Sequence, residues 1–466
     1  MRTNDAAPQD VFRSLLERSG LLREPAVGRI DFVHRTFQEH LAGKAAAEND
    51  EIGLLIKNAH DAQWREVVVM AAGHAQPDQC AELLKGLLRR GRRRSRQSVL
   101  WPLAVASAQS ARRLDPQLRA EIGKVAEELV PPATEEAAEA LAGIGDVLLR
   151  LLEDRPPRTA AEAGASIRAV STIGGQAAMT MIGQILASAG DPLDEFVESA
   201  VLNSWRFFQP GRYLTEVLVP HWPRDRELMV SEPAFLAVLP RFSDLTAVRC
   251  DLENFGAQAD DVSPLSRNTE LRSVSLVNCG PGLDLSPLGQ LPRLESVTIR
   301  CPEKLPDLGP LSGVRSLHKL TLTCAAAGDA VATVSEFGSL RWLQLHGCHD
   351  LPDLGKLSVP ASLEGLTLAG FADLRSLSGP QPLATVRVLE LLECPQLADI
   401  SAVRAMPSLE RVALGILQVS VVDLTPLAGL SRLREITFMG HYSFDVTALA
   451  GFSSVISSSG CRSARS

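Results

Sequence analysis

Several things are missing from this 466-residue sequence. No stretch of about 18 apolar residues occurs, and no short apolar core follows a basic start, so neither a membrane-spanning helix nor a secretory leader is expected. There is no GxxxxGK[ST] loop to cradle a triphosphate, and no apolar strand ends in paired acids that would hold Mg²⁺. HExxH and any Ser/His/Asp or paired-carboxylate arrangement are absent too, so no catalytic residue is expected and the chain does not read as an enzyme. The eight cysteines never form a CxxC pair, which points away from metal binding. Net positive charge is also missing: the balance is −8, which argues against wholesale binding to nucleic acid or a membrane. These absences together lead to the expectation of a cytoplasmic protein. The length allows two to four domains, and an apolar content of 45% can fill large cores.

What is present is a repeat. Leu271, Leu294, Leu317, Leu340, Leu363, Val386, Leu409 and Leu433 follow one another at intervals of 23 residues, the last at 24. Each opens an LxxLxL triad, as in Leu271/Val274/Leu276 or Leu340/Leu343/Leu345. The second and third members share one face of a strand, because side chains alternate along it. About a dozen residues on comes a second signal, as in Asp284-Leu-Ser-Pro-Leu288 and Asp423-Leu-Thr-Pro-Leu427. Proline there forbids a long helix, so a short extended or 3₁₀ return arm is expected. The apolar side chains of one unit cannot offset the entropy of ordering it alone, so the units must stack. Six cysteines (Cys250, Cys279, Cys301, Cys324, Cys348 and Cys394) fall just after strands, where a small buried residue fits the turn.

The repeats resemble the leucine-rich repeat family over about 240–450, in the short bacterial form with a D-[LIV]-S-P-L return arm. That resemblance implies a concave sheet used for recognition. Its outward positions include Arg272, Arg300, Lys319, Arg341, Trp342, His346, Glu364 and Glu390. Exposed Trp and Arg are common interface anchors, which makes Arg341 and Trp342 the leading pair; the alternative is an ordinary solvated face.

Ahead of the repeats, Asp10 is expected to cap a short helix ending at Gly20, and Glu24-Pro-Ala-Val-Gly28 to turn a hairpin. Thr36-Phe-Gln-Glu39 reads as a capping box for the next helix. Helix, hairpin and helix make a winged-helix ending over 1–48. Phe32-Val-His-Arg-Thr-Phe-Gln-Glu-His-Leu-Ala-Gly43 resembles the F-x-H-x-[ST]-F-Q-E-x-x-A segment of NACHT-type STAND NTPases, which include the NOD-like receptors. In that family the segment closes the nucleotide module, and its His, here His34, can touch the β-phosphate of ADP. A helix N-terminus attracts anions, which agrees; packing at a strand–helix junction is the other reading of His34. The resemblance implies no cofactor for this chain alone, and ADP or ATP only where a P-loop module is supplied. It also raises the expectation of a C-terminal part of a longer receptor, a truncated gene model or a degenerate copy.

Apolar stripes of helical period run through 49–239, such as Trp64/Val67/Val68/Ala71 and Leu83/Leu84/Leu87/Leu88, and suggest paired helices resembling HEAT-type repeats. Arg89–Arg96 holds six Arg in eight residues. It is expected to end a helix, where cations complement the macrodipole, and suits nucleic acid or an acidic partner surface, or else a solvated interhelix loop. Aromatics from Trp205 to Phe235 are expected to cap the open end of the array. A serine-rich tail, 453–466, is expected to be disordered. The expected fold is thus α+β and multidomain: a winged-helix remnant, a helical HEAT-like region, and a leucine-rich repeat solenoid over 240–452. The expected function is the sensor part of a NACHT/STAND receptor with a protein ligand and a NACHT ATPase module encoded upstream. The alternative is a free-standing leucine-rich repeat adaptor.

Overall fold

The computed structural model describes residues 22–26, 29–190, 193–258, 261–326, 330–349, 351–379, 383–415, 423–439 and 455–457. The expected helix after Asp10 and the arm at Asp445–Leu449 lie outside them. The chain divides into two compact units, 1–209 and 210–466.

The first unit opens with an antiparallel hairpin, β1 (Leu22–Ala26) and β2 (Arg29–Phe32), in which Arg23 faces Asp31. Eleven helices follow among the described residues: α1 (Arg35–Glu48), α2 (Ile52–Asn58), α3 (Arg65–His74), α4 (Pro77–Gly91), α5 (Arg94–Ser110), α6 (Pro116–Glu128), α7 (Glu135–Ala142), α8 (Asp146–Asp154), α9 (Ala160–Ile173), α10 (Gly175–Ser188) and α11 (Glu195–Ser204). Their starts are chemically marked. Gln76 and Gln79 exchange capping bonds before Pro77, as do Thr159 and Glu162 before α9. The odd-numbered helices pack serially on one another from α1 to α11. In the first contact Gly43 of α1 meets the backbone of α3, where a Cβ would stand 2.9 Å from Ala71 N and 2.9 Å from Val67 O. No helix among the described residues is long and apolar enough to cross a membrane.

One expectation here needs correcting. The capping box at Thr36 does not form: the helix starts two residues earlier, at Arg35, His34 is its N-cap without a side-chain cap bond, and Glu39 pairs with Arg35 at 2.7 Å. The arginine run ends a helix, as expected, and does not form a single interhelix loop. Arg89 and Arg90 end α4, Arg90 donates to Ile56 O, and α5 begins at Arg94. Nothing in the sequence reading marked α5, because Pro102 interrupts it and its apolar residues are not on one stripe; Leu100, Leu103, Ala104 and Val105 are all buried.

Among the described residues the second unit is built on one parallel sheet of eleven strands in chain order. They are β3 (Leu228–Val230), β4 (Ala247–Asp251), β5 (Ser273–Val277), β6 (Ser296–Arg300), β7 (Lys319–Thr323), β8 (Trp342–His346), β9 (Gly365–Ala369), β10 (Val388–Leu392), β11 (Arg411–Gly415), β12 (Glu435–Met439) and β13 (Val455–Ser457). The registers match the repeat residue for residue: Val274 pairs with Val297, then Leu320, Leu343, Leu366, Leu389, Val412 and Ile436. Each repeat is one coil, and the inward residues of every coil are buried. This is a leucine-rich repeat solenoid.

Return arms are short, as expected: 3₁₀ turns at Ser263–Arg267, Gly309–Leu311 and Ser401–Ala405, with single α-turns at Ser286–Gly289 and Thr425–Ala428. Tyr213, Trp222 and Phe235 are buried ahead of the first full coil, whereas Trp205, Phe207 and Phe208 belong to the helical unit and not to that cap. β3 extends the sheet before 240, and β13 pairs with β12 inside the segment expected to be a disordered tail. The cysteines behave as packing residues. Burial pushes Cys250 up to about 12 and Cys394 up to about 11.

The conserved geometry of the arms has a chemical source. Six aspartates accept the backbone N–H two residues on: Asp261, Asp307 and Asp423 at 2.9 Å, and Asp284, Asp353 and Asp399 at 2.8 Å. In Asp261, Asp284, Asp399 and Asp423 the hydroxyl of that second residue, and then its N–H, hold the carboxyl below the usual carboxylate range. A carboxyl depressed by folding stabilises the fold above its unfolded value and stops doing so as pH falls through the folded one. These groups are exposed, so each contribution is small and the effect is their sum. The Tm of the repeat unit is therefore expected to fall as pH drops from about 4 toward 2. Circular dichroism melts should show that limb flattened in an Asp284→Asn/Asp399→Asn/Asp423→Asn variant. An acid limb identical to that of the parent chain would refute the assignment.

Candidate interaction surface on the repeat sheet

Residues that alternate with the buried leucines line the outer face of the sheet, and the 23-residue step stacks them into columns about 4.8 Å apart from strand to strand. The column just before the strands alternates in sign. Arg272 donates to Glu295 at 2.6 Å and Arg341 to Glu364 at 2.8 Å, while Arg387 reaches Glu410 with two nitrogens, at 2.9 and 3.1 Å, and Glu364 at 3.9 Å. Each pair is exposed and stabilises by only about 0.2–1 kcal/mol. Together they hold long side chains in fixed places. The middle column is small and polar: Thr321 donates to Gln344 at 2.9 Å and Thr367 to Glu390 at 2.8 Å, and both threonines are buried beneath their neighbours.

The remaining positions form a different patch. Lys319 and Trp342 are register partners at the start of β7 and β8. Arg300 and His346 share the last strand position, two strands apart, with Thr323 between. Trp342 is 38% exposed. Its indole lies across Gly365 of the next strand, where a Cβ would stand 2.1 Å from Trp342 Cε3, so only glycine permits that pose. Burial, and then the charge of Arg300, lower the His346 imidazole below its ordinary range.

Of the eight face residues expected from sequence, the structure gathers four into this patch: Arg300, Lys319, Trp342 and His346. The other four are engaged with neighbours: Arg272, Arg341 and Glu364 in the ion ladder, Glu390 with Thr367. Sequence reading missed Arg387 and Gly365. The offset of opposite charges by 23 residues was the signal that would have exposed the ladder. No protein-family model matches the chain and no curated protein matches it. Among solved structures, an internalin (InlF) of Listeria monocytogenes is similar at 18% identity, covering 51% of this chain and 78% of its own, with a TM-score of 0.29. The leucine-rich repeat domain of the type III effector XopL is similar at 17%, covering 67% and 94%, with a TM-score of 0.32. A leucine-rich repeat protein of Leptospira interrogans is similar at 15%, covering 58% and 70%, at 0.28. The repeat assignment rests on the strand registers, not on these likenesses.

Other expected sites are less developed. His34 is exposed at the start of α1, 6.0 Å from the Phe37 ring in a tilted contact. Arg92 faces Glu121 at 3.9 Å, so the arginine run is partly answered within the helical unit. A concavity of about 530 Å³ lies against α7, α9 and α11, but its polar lining is paired internally: Arg168 with Glu135, Ser171 with the carbonyl of Ile167 at 2.6 Å, Arg206 with Asn203 at 3.3 Å. Among the described residues no group of three or more His, Cys, Asp and Glu side chains is placed to hold a metal ion.

Proposed function

We propose that this chain is the ligand-recognition part of a NACHT-type signalling or defence receptor, and that the outer face of its repeat sheet binds a protein. The observation that carries the binding role is the patch of Arg300, Lys319, His346 and exposed Trp342 beside the self-paired ladder of Arg272, Glu295, Arg341, Glu364, Arg387 and Glu410. Side chains held by the ion ladder and by Gly365 lose little entropy on binding, which favours recognition by a preformed surface. The receptor half draws support from the segment that resembles the NACHT family. Ile30, Val33, Phe37 and Leu41 are 43%, 38%, 42% and 44% exposed, an apolar cluster around His34 suited to packing against a nucleotide module. The β1–β2 hairpin followed by α1 fits the end of a winged helix over 1–48, and the serial packing of odd helices fits a HEAT-like linker over 49–239. In this reading His34 contacts the β-phosphate of ADP held by that module.

The adaptor reading, a leucine-rich repeat scaffold without nucleotide switching, is favoured by a face complete in itself. Pull-down of the tagged full chain with a NACHT ATPase module encoded beside it separates the two. The receptor reading expects a complex that Phe37→Asp/Leu41→Asp weakens about tenfold or more. No complex, or one indifferent to that variant, leaves the adaptor.

A further inference from the structure

We propose that the patch around Arg300, Lys319, Trp342 and His346 takes an extended, carboxylate-rich polypeptide segment with one apolar side chain laid on Trp342. This rests on the reading that the sheet face binds protein, and it names the chemistry of the partner.

The case begins with what the register places beside the two cations, Arg300 and Lys319, and beside the His346 imidazole. Arg300 has Val277 and Thr323 as its lateral neighbours, Lys319 has Ser296 and Trp342, and His346 has Thr323 and Ala369. None is acidic, so the device that neutralises Arg272, Arg341 and Arg387 is missing here. One column away, Glu295 is engaged with Arg272 and Glu364 with Arg341. In a chain of net charge −8, this is a local cationic surface, and among the described residues no carboxylate forms an ion pair with Arg300 or Lys319. An incoming carboxylate therefore gains charge-assisted hydrogen bonds without breaking an existing pair.

The dimensions select an extended peptide. Arg300 and Lys319 sit on adjacent strands four positions apart along them, about 14 Å at ordinary strand rise and spacing. Side chains at i and i+4 of an extended segment lie about 13 Å apart, so acidic residues at that spacing reach both cations at once. The segment between them passes over Thr298 and Thr321, the middle register pair of β6 and β7, whose short side chains leave a low floor. Beside Lys319, the indole offers a flat apolar seat at one end. A nucleic acid fits less well: two cations and an imidazole within a patch about 10 by 14 Å do not make the long stripe that follows a phosphate backbone, and carboxylates flank the patch on the β9 side.

The test selects random decapeptides displayed on phage against the full chain, with an Arg300→Glu/Lys319→Glu variant and a Trp342→Ala variant selected in parallel. The expected winners carry Asp or Glu at i and i+4 with an apolar residue beside one of them. Measured by fluorescence anisotropy, the winning peptide is expected to lose about tenfold or more in affinity against either variant and to keep it against Arg411→Glu, which lies outside the patch. Its Gln/Asn counterpart should bind about tenfold more weakly than the acidic form. Winners without acidic residues that bind in a Trp342-dependent manner overturn the acidic assignment and leave the protein-binding face standing. Winners insensitive to both variants, or no winners, count against the face itself. Tighter binding of a ten-nucleotide oligouridine than of any peptide assigns the patch to nucleic acid and overturns the proposal.

Discussion

Leu345→Ala is expected to destabilise the repeat unit by about 3–5 kcal/mol, the upper part of the range for a leucine truncated where the surroundings cannot collapse. Leu345 has no solvent exposure, and its register partners Leu322 and Leu368 have none either. The parallel backbone ladder on both sides fixes the spacing of the coils, so the cavity stays open. Position along the array matters as well. A solenoid is held by nearest-neighbour interfaces, and a defect in the middle weakens two of them at once. Leu433→Ala, at a position already 7% exposed, is expected to cost less, about 2 kcal/mol. Urea titrations followed by circular dichroism measure both. A loss below about 1 kcal/mol for Leu345→Ala would mean that the coils can close over the gap, contrary to the packing seen.

The repeat could be read from sequence because one physical constraint recurs eight times. Each coil must bury the same three side chains, and the aspartate arms are local: the acceptor and the N–H it binds are two residues apart. The outer face was legible only as a set of positions. Which cations are free depends on the residue 23 places away and on whether its carboxylate is already taken, and that is a property of pairs. Arg341 looked like an anchor by composition and is a rung of the ladder; Lys319, two strands from Glu364, is not. α5 was missed because burial on several sides erases the stripe that reveals an amphipathic helix, and Pro102 removes the propensity signal as well. The capping box at Thr36 misled for a different reason. Glu39 had a nearer partner in Arg35, one turn away on the same helix.

Gly43→Val is expected to unseat α1 from α3, at a cost of about 2–3 kcal/mol. The clash is with backbone: the added Cβ would meet Ala71 N and Val67 O at 2.9 Å and Met70 Cβ at 3.1 Å, and backbone atoms cannot rotate aside as a side-chain end can. Gly43→Ala should cost less, since alanine returns about 1 kcal/mol of helix propensity against the same contact. Gly123 supplies the control: it is helical with nothing within 4 Å of its added Cβ, so Gly123→Ala should stabilise by about 0.5–1 kcal/mol. Hydrogen exchange of the α1 amides is the direct measurement, and unchanged protection in Gly43→Val would dispose of the argument. The result also bears on the segment that resembles the NACHT family. Its closing glycine is accounted for by helix packing alone, whereas exposed His34 has only the tilted contact with Phe37 one turn along the same helix. Gly43→Val should therefore loosen α1 with or without a nucleotide module, and His34→Ala should leave α1 seated. A partner complex that His34→Ala weakens without loosening α1 would locate the contact at the imidazole and not in the seating of the helix.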